Sequence, residues 1–310
     1  RDRERIRLHV RETPVEPSIW LGQQGGCEVY LKLENLQITS SFKYRGATNR
    51  LLSLSDEERQ RGVITASSGN HGSAVAYLLR KFGLKGVIYV SEGVSPAKVD
   101  TMRSLGVDPV VFGIDGVEAE NEARRVAEMQ GQVYVSPYND PRIIGGQGTI
   151  GVELEGQLEG IDAVFCPVGG GGLVAGVAGY LKSTDARTHI VGCQPINSAV
   201  MYESVREGKF VDRPSLPSLS DGTSGGIEEG SLTYPLCRDL IDEFMLIPED
   251  EIAAAIRLVL ERHHLLIEGA AALPVAAFLR VAESYRGQRV VLIISGARIS
   301  LDVLRSVLAV

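Results

Sequence analysis

The segment SSFKYRGA, residues 40–47, places Lys43 between a phenylalanine and a tyrosine. A lysine amine forms a Schiff base with a carbonyl compound and also acts as a base where its surroundings favour the neutral amine. A solvated surface charge is the ordinary alternative for a single lysine. The interpretation of Lys43 therefore depends on the other polar segments of the chain.

A run of glycines follows an apolar stretch in the segment CPVGGGGLVAG. Gly169, Gly170, Gly171 and Gly172, here called the glycine run, are expected to lie between a strand and a helix, where backbone N–H groups attract phosphate. The spacing matches neither GxGxxG nor GxxxxGK[ST], which disfavours nicotinamide and nucleoside triphosphate sites. For this run taken alone, a tight packing turn is an equal alternative.

A second turn, TASSGNHG at residues 65–72, concentrates polar groups at a predicted helix start. Its hydroxyl, amide and imidazole groups, together with helix N–H groups, suit a carboxylate. An N-capping residue is the local structural explanation, but it accounts for only one of these side chains. We call residues 67–71 the polar turn. Its candidate binding residues are Ser67, Ser68, Asn70 and His71.

Ser295 ends the last strongly apolar stretch, in LIISGARIS. A hydroxyl at a strand end can exchange a hydrogen bond with a ring nitrogen, although a turn-forming serine is the simpler explanation on its own. Lys43, the glycine run, the polar turn and Ser295 together form the set needed to hold pyridoxal phosphate as a Schiff base. Glu268, inside the apolar stretch LLIEGAAA, is a further candidate for a buried functional group.

Val- and Ile-rich stretches alternate with amphipathic segments, which predicts a parallel sheet built from βαβ units. The predicted strands include residues 28–34, 62–67, 133–137, 163–169 and 290–295, and the predicted helices include residues 71–83, 172–183 and 249–264. Open parallel sheets bind ligands at the carboxyl ends of their strands, where these turns would lie. The long aperiodic segment 210–235, rich in Pro, Ser and Gly, is also expected to be functional.

The composition restricts the class of protein. The 310 residues are 44% hydrophobic, enough for a sizeable core, and the formal charge of −7 argues against a nucleic-acid surface. The 4 cysteines are widely spaced, without metal-ligand spacing. Neither a signal peptide nor a run of about 20 apolar residues is present, so we expect a cytoplasmic protein without membrane partners.

The chain resembles the fold-type II pyridoxal-phosphate enzymes, and within them the threonine dehydratase and serine racemase group. The matching segments, in the family's order, are TPVEPS, LKLENLQITSSFKYRGA, ASSGNHG, GGQGTIGVEL, PVGGGGLVAG, LSDGTSGG and LIISGA. The resemblance implies an α/β fold of the tryptophan synthase β-subunit type, with two lobes of twisted, mostly parallel sheets flanked by helices. The larger lobe would comprise residues 1–46 and 144–310, and the smaller lobe, with SSGNHG, residues 47–143. A homodimer is the assembly expected of the family.

The resemblance also implies pyridoxal 5′-phosphate as cofactor. Lys43 would bind it covalently and remove the α-proton of the substrate, Phe42 would flank the ring, and Ser295 would meet the pyridine nitrogen. Asn70 would hydrogen-bond the phenolic oxygen. The phosphate would be bound by Gly169, Gly170, Gly171, Gly172 and Leu173.

The implied substrate is a small amino acid. Its carboxylate would be held by Ser67, Ser68, Asn70 and His71, and Ser68 also matches the serine that serves as the second base in racemases. A hydroxyl partner leaves the pyridine nitrogen largely unprotonated, and the weaker electron sink favours loss of a β-leaving group. The expected reaction is dehydration of a β-hydroxy amino acid such as threonine or serine to a 2-oxo acid and ammonia.

Some positions depart from the family pattern. QPINSAV replaces an EPSNADD-like sequence, so Gln194 and Val200 stand in place of two carboxylate ligands, and no metal is expected there. SGAR replaces SGGN and introduces Arg298 beside the expected ring site. Arg298 is expected to contact a second anionic or polar substrate group, as in 3-hydroxyaspartate. A solvent-facing or interface arginine is the alternative.

Other functions stay open. Racemisation of serine or another amino acid would use Ser68 as a base. The absence of the two carboxylate metal ligands in this chain argues against it. The chain also resembles the dehydratases associated with hydroxyectoine breakdown, which act on other β-hydroxy amino acids. A binding protein without turnover would not need Lys43, the glycine run and Ser295 together, and a nucleotide-binding domain lacks its phosphate fingerprint. Cys237, His263 and His264 are expected to be structural.

Overall fold

The computed structural model describes residues 1–309, and in it short strands alternate with helices along the chain. The helices are Asp2–Ile6 (α1), Ile19–Gly25 (α2), Lys43–Leu52 (α3), Asp56–Arg61 (α4), Asn70–Phe82 (α5), Pro96–Ser104 (α6), Gly116–Gln130 (α7), Pro141–Gln157 (α8), Gly172–Thr184 (α9), Val200–Glu207 (α10), Thr233–Leu240 (α11), Glu249–His263 (α12), Gly269–Val281 (α13) and Leu301–Leu308 (α14). The strands are Val15–Pro17 (β1), Glu28–Lys32 (β2), Val63–Ala66 (β3), Gly86–Val90 (β4), Val110–Val111 (β5), Val133–Tyr134 (β6), Ala163–Pro167 (β7), His189–Pro195 (β8), Glu243–Ile247 (β9) and Arg289–Ile293 (β10).

The chain divides into two compact units. The smaller unit comprises Arg1–Val10 and Lys43–Gly146, and the larger unit comprises Arg11–Phe42 and the chain from Gln147 onward. The family resemblance placed residues 1–10, 43–46 and 144–146 in the larger lobe, whereas these units place them in the smaller one. The reason is the packing of α1 on α3, where Arg5 Nη1 donates to Asn49 Oδ1 at 2.6 Å.

The larger unit contains a sheet with the strand order β1-β2-β10-β7-β8-β9, in which only the pair β1 and β2 is antiparallel. All residues of β7, AVFCP, are buried because helices cover both faces of the sheet. Phe165 packs against Phe278 of α13 on one face, and Cys166 lies in the cluster with Val177 of α9 on the other. The carboxyl ends of β2, β10, β7 and β8 therefore lie at one edge of the sheet.

The smaller unit contains a parallel sheet with the order β5-β4-β3-β6. Helix α7 packs on it through Ala119, Ala123 and Ala127, whose small side chains permit close approach. Asp115 caps the start of α7 by accepting from the backbone N of residues 117 and 118. Strands β3 and β6 are neighbours, so their carboxyl ends lie side by side.

The predicted α/β class with mostly parallel sheets flanked by helices is confirmed. Among residues 1–309, no helix combines the length and the apolar character needed to cross a membrane. The segment 210–235, predicted to be a loop, contains only the short 3₁₀ turn Asp221–Thr223 and the start of α11. Part of it packs against the glycine run.

Candidate active site

The glycine run lies at the carboxyl end of β7 and leads into α9. Gly171 is the N-cap of this helix and has a φ of 83°, in the left-handed region that glycine tolerates best. No side chain caps the helix start, so the first N–H groups of α9 have no acceptor within the helix. Such N–H groups bind anions, and phosphate in particular.

Close packing explains why the glycine run needs glycine. A Cβ on Gly169 would lie 2.9 Å from Thr223 Cα, and a Cβ on Gly171 would lie 2.6 Å from Cys237 Sγ. Cys237 is fully buried, and burial raises the pKa of its thiol to about 12, so it is a neutral packing group. The sequence indicated no contact of Thr223 or Cys237 with this site; the polar composition of DGTSGG was the only signal.

Ser295 follows β10, the neighbour of β7 in the sheet. Its side chain is 1% exposed, and its hydroxyl has no hydrogen-bond partner among residues 1–309. Leaving a buried polar group unpaired costs about 1–3 kcal/mol, so a ligand atom that bonds this hydroxyl would be favoured. The ring nitrogen and the phosphate of pyridoxal phosphate fit the Ser295 hydroxyl and the glycine run respectively.

The segment before Lys43 pairs with the chain that follows β10. Phe42 N donates to Ser295 O at 3.0 Å, and Ser41 forms an antiparallel bridge with Gly296. Ser40 has a φ of 61°, an unfavourable backbone conformation for a residue with a side chain. The larger unit thus brings Phe42 and Ser295, two of the predicted cofactor-binding residues, into direct contact.

Lys43 is the first residue of α3 and is partly buried. Its Nζ donates to Pro137 O at 2.9 Å, and Pro137 lies just beyond β6. The amine is therefore held inside the smaller unit at a strand end and is not a solvated surface charge. A carbonyl partner such as that of Pro137 leaves no signal in the sequence.

The polar turn follows β3, so it lies beside the end of β6. Thr65 Oγ1 donates to Val135 O at 2.7 Å, and His71 Nε2 lies 3.0 Å from the same oxygen. Ser67 Oγ accepts from Gly69 N, while Ser68 is partly exposed. In the smaller unit, Lys43 and the polar turn are thus tied to one short segment, residues 135–137.

His71 is 2% exposed, and burial lowers its pKa to about 3, with a smaller contribution from the positive charge of Lys43. The imidazole is therefore neutral near pH 7, and its Nε2–H donates to Val135 O. The buried Nδ1, which has no partner among the described residues, is an acceptor. The side chain has no donor left for a carboxylate, so His71 can offer an anion only its backbone N–H at the start of α5.

Glu268 and Arg298 lie next to the end of β10. Glu268 is 3% exposed, its N donates to Gly296 O at 3.1 Å, and its Oε2 accepts from Arg298 N at 3.0 Å. These two bonds hold the turn that follows Ser295. Arg298 is partly buried.

Gln194 and Val200, the two positions that depart from the metal-binding pattern, are both buried. Gln194 Oε1 accepts from Tyr202 N at 2.8 Å, in the first turn of α10. In the described part of the chain, no three His, Cys, Asp or Glu side chains form a group that could hold a metal ion.

Comparison with known proteins agrees with this geometry. Residues 6–296 match the model of a family described as pyridoxal-phosphate dependent enzyme. The L-threonine ammonia-lyase of Thermotoga maritima is 39% identical, over 95% of this chain and 73% of that protein.

Solved structures show the same likeness. The processed form of threonine deaminase isoform 2 from Solanum lycopersicum superposes with a TM-score of 0.91 at 37% identity, covering 96% of this chain and 87% of that one. Maize serine racemase has a TM-score of 0.92 at 30% identity, covering 99% of this chain and 94% of that one. The chain therefore belongs to the family of pyridoxal-phosphate dependent enzymes, has their tryptophan synthase β-subunit type of fold, and uses pyridoxal phosphate as its cofactor.

Proposed function

We propose that the protein eliminates water from a β-hydroxy amino acid, such as threonine or serine, and so produces a 2-oxo acid and ammonia. The observation on which the proposal rests is the position of the Lys43 amine, which donates to Pro137 O at 2.9 Å, in the segment that follows β6. The names of the relatives, an L-threonine ammonia-lyase and a threonine deaminase, support the same reaction.

Residues of the larger unit would hold the cofactor. The N–H groups at residues 169–173, at the start of α9, would bind the phosphate, the Ser295 hydroxyl would bind the ring nitrogen, and Phe42 would flank the ring. When bound, pyridoxal phosphate withdraws electrons from the Cα of an amino acid and so acidifies its α-proton. A hydroxyl at the ring nitrogen moderates this withdrawal, which favours prompt departure of a β-hydroxyl.

Residues of the smaller unit would act on the substrate. Lys43 Nζ would remove the α-proton, and Asn70 would bind the phenolic oxygen of the cofactor. The polar turn would bind the α-carboxylate through the hydroxyls of Ser67 and Ser68 and the N–H groups that begin α5, including that of His71. The released enamine hydrolyses to the 2-oxo acid and ammonia.

Racemisation is the second candidate. Ser68 has a partly exposed hydroxyl in the polar turn, and the likeness to maize serine racemase supports a role for it as the second base. A racemase would return the proton to the opposite face of Cα, whereas a dehydratase loses the hydroxyl. A substrate of hydroxyectoine breakdown is a further possibility within the dehydration reaction.

We also propose that the protein works as a homodimer in the cytoplasm, with the two compact units acting as lobes. Exposed Leu301 and Leu308 on α14 support a self-association surface. The 4 cysteines form no disulfide among residues 1–309, which supports a reducing compartment.

The visible spectrum and the products of the purified protein test the proposal. We expect an absorption band of bound cofactor that is lost in Lys43→Ala, and a 2-oxo acid and ammonia in equal amounts from L-threonine or L-serine. Formation of the D-amino acid without oxo acid would instead select racemisation. A protein that binds no added cofactor would contradict the proposal.

A further inference from the structure

We propose that Arg298 binds an acidic group on the side chain of the substrate, so that the preferred substrates are β-hydroxy dicarboxylic amino acids of the 3-hydroxyaspartate type. This inference rests on the proposed dehydration and specifies its substrate class. It starts from the surroundings of the Arg298 guanidinium.

The guanidinium of Arg298 makes no hydrogen bond and no ion pair with any side chain or carbonyl among residues 1–309; the hydrogen bond of this residue is made by its backbone N. Its side chain is nevertheless partly buried. Burial lowers the pKa of Arg298, and the attraction of Glu268 opposes that shift only in part. The guanidinium nitrogens still reach solvent, so an anion carried by the substrate can replace water there and gain a charge-assisted contact.

The nearest carboxylate does not take that place. Glu268 Oε2 accepts from the backbone N of Arg298, and its Oε1 is packed against the backbone, where a Cβ on Gly296 would come within 2.5 Å of it. The carboxylate of Glu268 thus fixes the position of the Arg298 backbone and leaves the guanidinium to another partner.

The surrounding backbone is held firmly. Ala297 N donates to Ser40 O at 3.0 Å, and Ile299 N donates to Ala297 O at 2.9 Å. With both neighbours bonded, the position of Arg298 relative to Ser295, three residues earlier, is set before any ligand binds. This fixes the backbone of Arg298, whereas its side chain makes no hydrogen bond within residues 1–309 and gives up rotamer freedom when it binds.

Two buried hydroxyls of the same region also lack partners. Ser41, the bridge partner of Gly296, is 0% exposed, Thr39 is 8% exposed, and neither hydroxyl is hydrogen-bonded within residues 1–309. Hydroxyl groups donate to carboxylate oxygens, and a guanidinium binds a carboxylate through paired N–H groups. Ser41 is bridged to Gly296, two residues before Arg298, so a hydroxyl without a partner in the described chain lies on the segment next to this cation.

The proposed reaction balances with such a substrate. The α-proton and the β-hydroxyl leave as water, the enamine takes up water, and 3-hydroxyaspartate becomes oxaloacetate and ammonia. The side-chain carboxylate is not changed, so Arg298 serves binding and selectivity and takes no part in proton transfer.

The test compares wild type with Arg298→Gln, and with Arg187→Gln as the matched control, an exposed arginine between α9 and β8. For wild type we expect a higher kcat/KM with 3-hydroxyaspartate than with L-threonine. Loss of one charge-assisted contact corresponds to a fall of about 10–100-fold, so Arg298→Gln should lose that much kcat/KM for 3-hydroxyaspartate, mainly through KM. The kcat/KM for L-threonine should change by less than about threefold, and Arg187→Gln should match wild type with both substrates. Equal losses for both substrates, or no loss, would overturn the proposal.

A binding measurement separates this proposal from the proposed function. L-Aspartate and L-alanine have no β-hydroxyl to lose, and their affinities for the cofactor-loaded protein are measured by calorimetry. Arg298→Gln should lower the affinity for L-aspartate by about tenfold or more and leave the affinity for L-alanine nearly unchanged. If wild type forms no oxo acid from any substrate, the dehydratase proposal fails, and the aspartate-to-alanine ratio alone decides the role of Arg298. An unchanged ratio overturns that role.

Discussion

The backbone N of Phe42 donates to the carbonyl O of Ser295 at 3.0 Å, which joins the residue before Lys43 to the turn that follows β10 in the larger sheet. This contact uses only backbone atoms, and the Ser295 hydroxyl is left without a partner in the described chain. The backbone oxygen of Ser295 thus holds the fold, and its hydroxyl is the candidate contact for the ligand. A mutation that removes only the hydroxyl can therefore separate the two roles.

Ser295→Ala should weaken cofactor binding without weakening the fold. Removing a buried hydroxyl that has no protein partner should leave the free energy of unfolding of the cofactor-free protein within about 1 kcal/mol of wild type. Cofactor affinity should fall about tenfold, measured by titration of the apoprotein. In the control Ser300→Ala, loss of the N-cap of α14 should lower stability by about 1 kcal/mol and leave cofactor affinity unchanged. Wild-type cofactor affinity in Ser295→Ala would refute the assignment.

Gly171→Ala should impair both folding and cofactor binding. An alanine there would combine a φ of 83° with a Cβ 2.6 Å from Cys237 Sγ, so we expect a loss of about 2 kcal/mol or more, together with weaker binding of phosphate. Gly156→Ala is the control, because its Cβ would meet nothing and helix α8 should gain up to about 1 kcal/mol. Urea unfolding and cofactor titration measure both effects. Equal stability of the two variants would contradict the packing argument.

His71 should make the protein less stable in acid. Its pKa is 6.5 when unfolded and about 3 when folded, so between these values the unfolded chain binds the extra proton. The contribution is fully present above 6.5 and is lost as the pH falls toward 3, by about 1.4 kcal/mol per pH unit. His71→Gln should remove this part of the slope of the free energy of unfolding against pH. An unchanged slope in His71→Gln would exclude a neutral buried imidazole.

The free energy of unfolding should depend on both partners of the buried ion pair between Lys32 and Glu153. Lys32 Nζ lies 2.7 Å from Glu153 Oε2, with side chains 0% and 5% exposed, and it also donates to Thr13 O. Lys32→Met would leave a buried carboxylate without its cation and should lower stability by about 3–5 kcal/mol. The double variant with Glu153→Met should recover most of that loss. A double variant as unstable as the single one would show that the pair itself, and not the unpaired charge, decides stability.

Much of the candidate site could be predicted because it is local in sequence. The glycine run, the polar turn and Ser295 each follow a strand predicted from an apolar stretch. The glycine run and Ser295 follow neighbouring parallel strands of the larger sheet, and the polar turn follows β3 in the smaller sheet. The strands β2, β3, β6, β7 and β10 were predicted for the same reason. By contrast, β9 and α13 were not predicted: EFMLI is a short half-buried edge strand, and α13 is buried almost all round, so neither has a clear period.

The site contacts and the unit boundary that the sequence did not predict depend on long-range packing. Pro137 O as the partner of Lys43, Val135 O as the partner of His71 and Cys237 beneath Gly171 are each many residues away in the chain, and backbone carbonyls have no sequence signature. The same holds for the boundary at Phe42 and Lys43, which depends on what each residue packs against.

The α/β fold class follows from the sequence alone, and residue type and hydrophobic period also predict Lys43, the glycine run and Ser295 as site residues, because both act locally. Which groups are neutral and which make no hydrogen bond within residues 1–309 became visible only in the folded chain. His71 loses its charge because it is buried, and the Arg298 guanidinium makes no hydrogen bond within residues 1–309, although the charge of Glu268 attracts it. Burial and pairing arise from contacts between distant segments, and they exist only once the chain has folded.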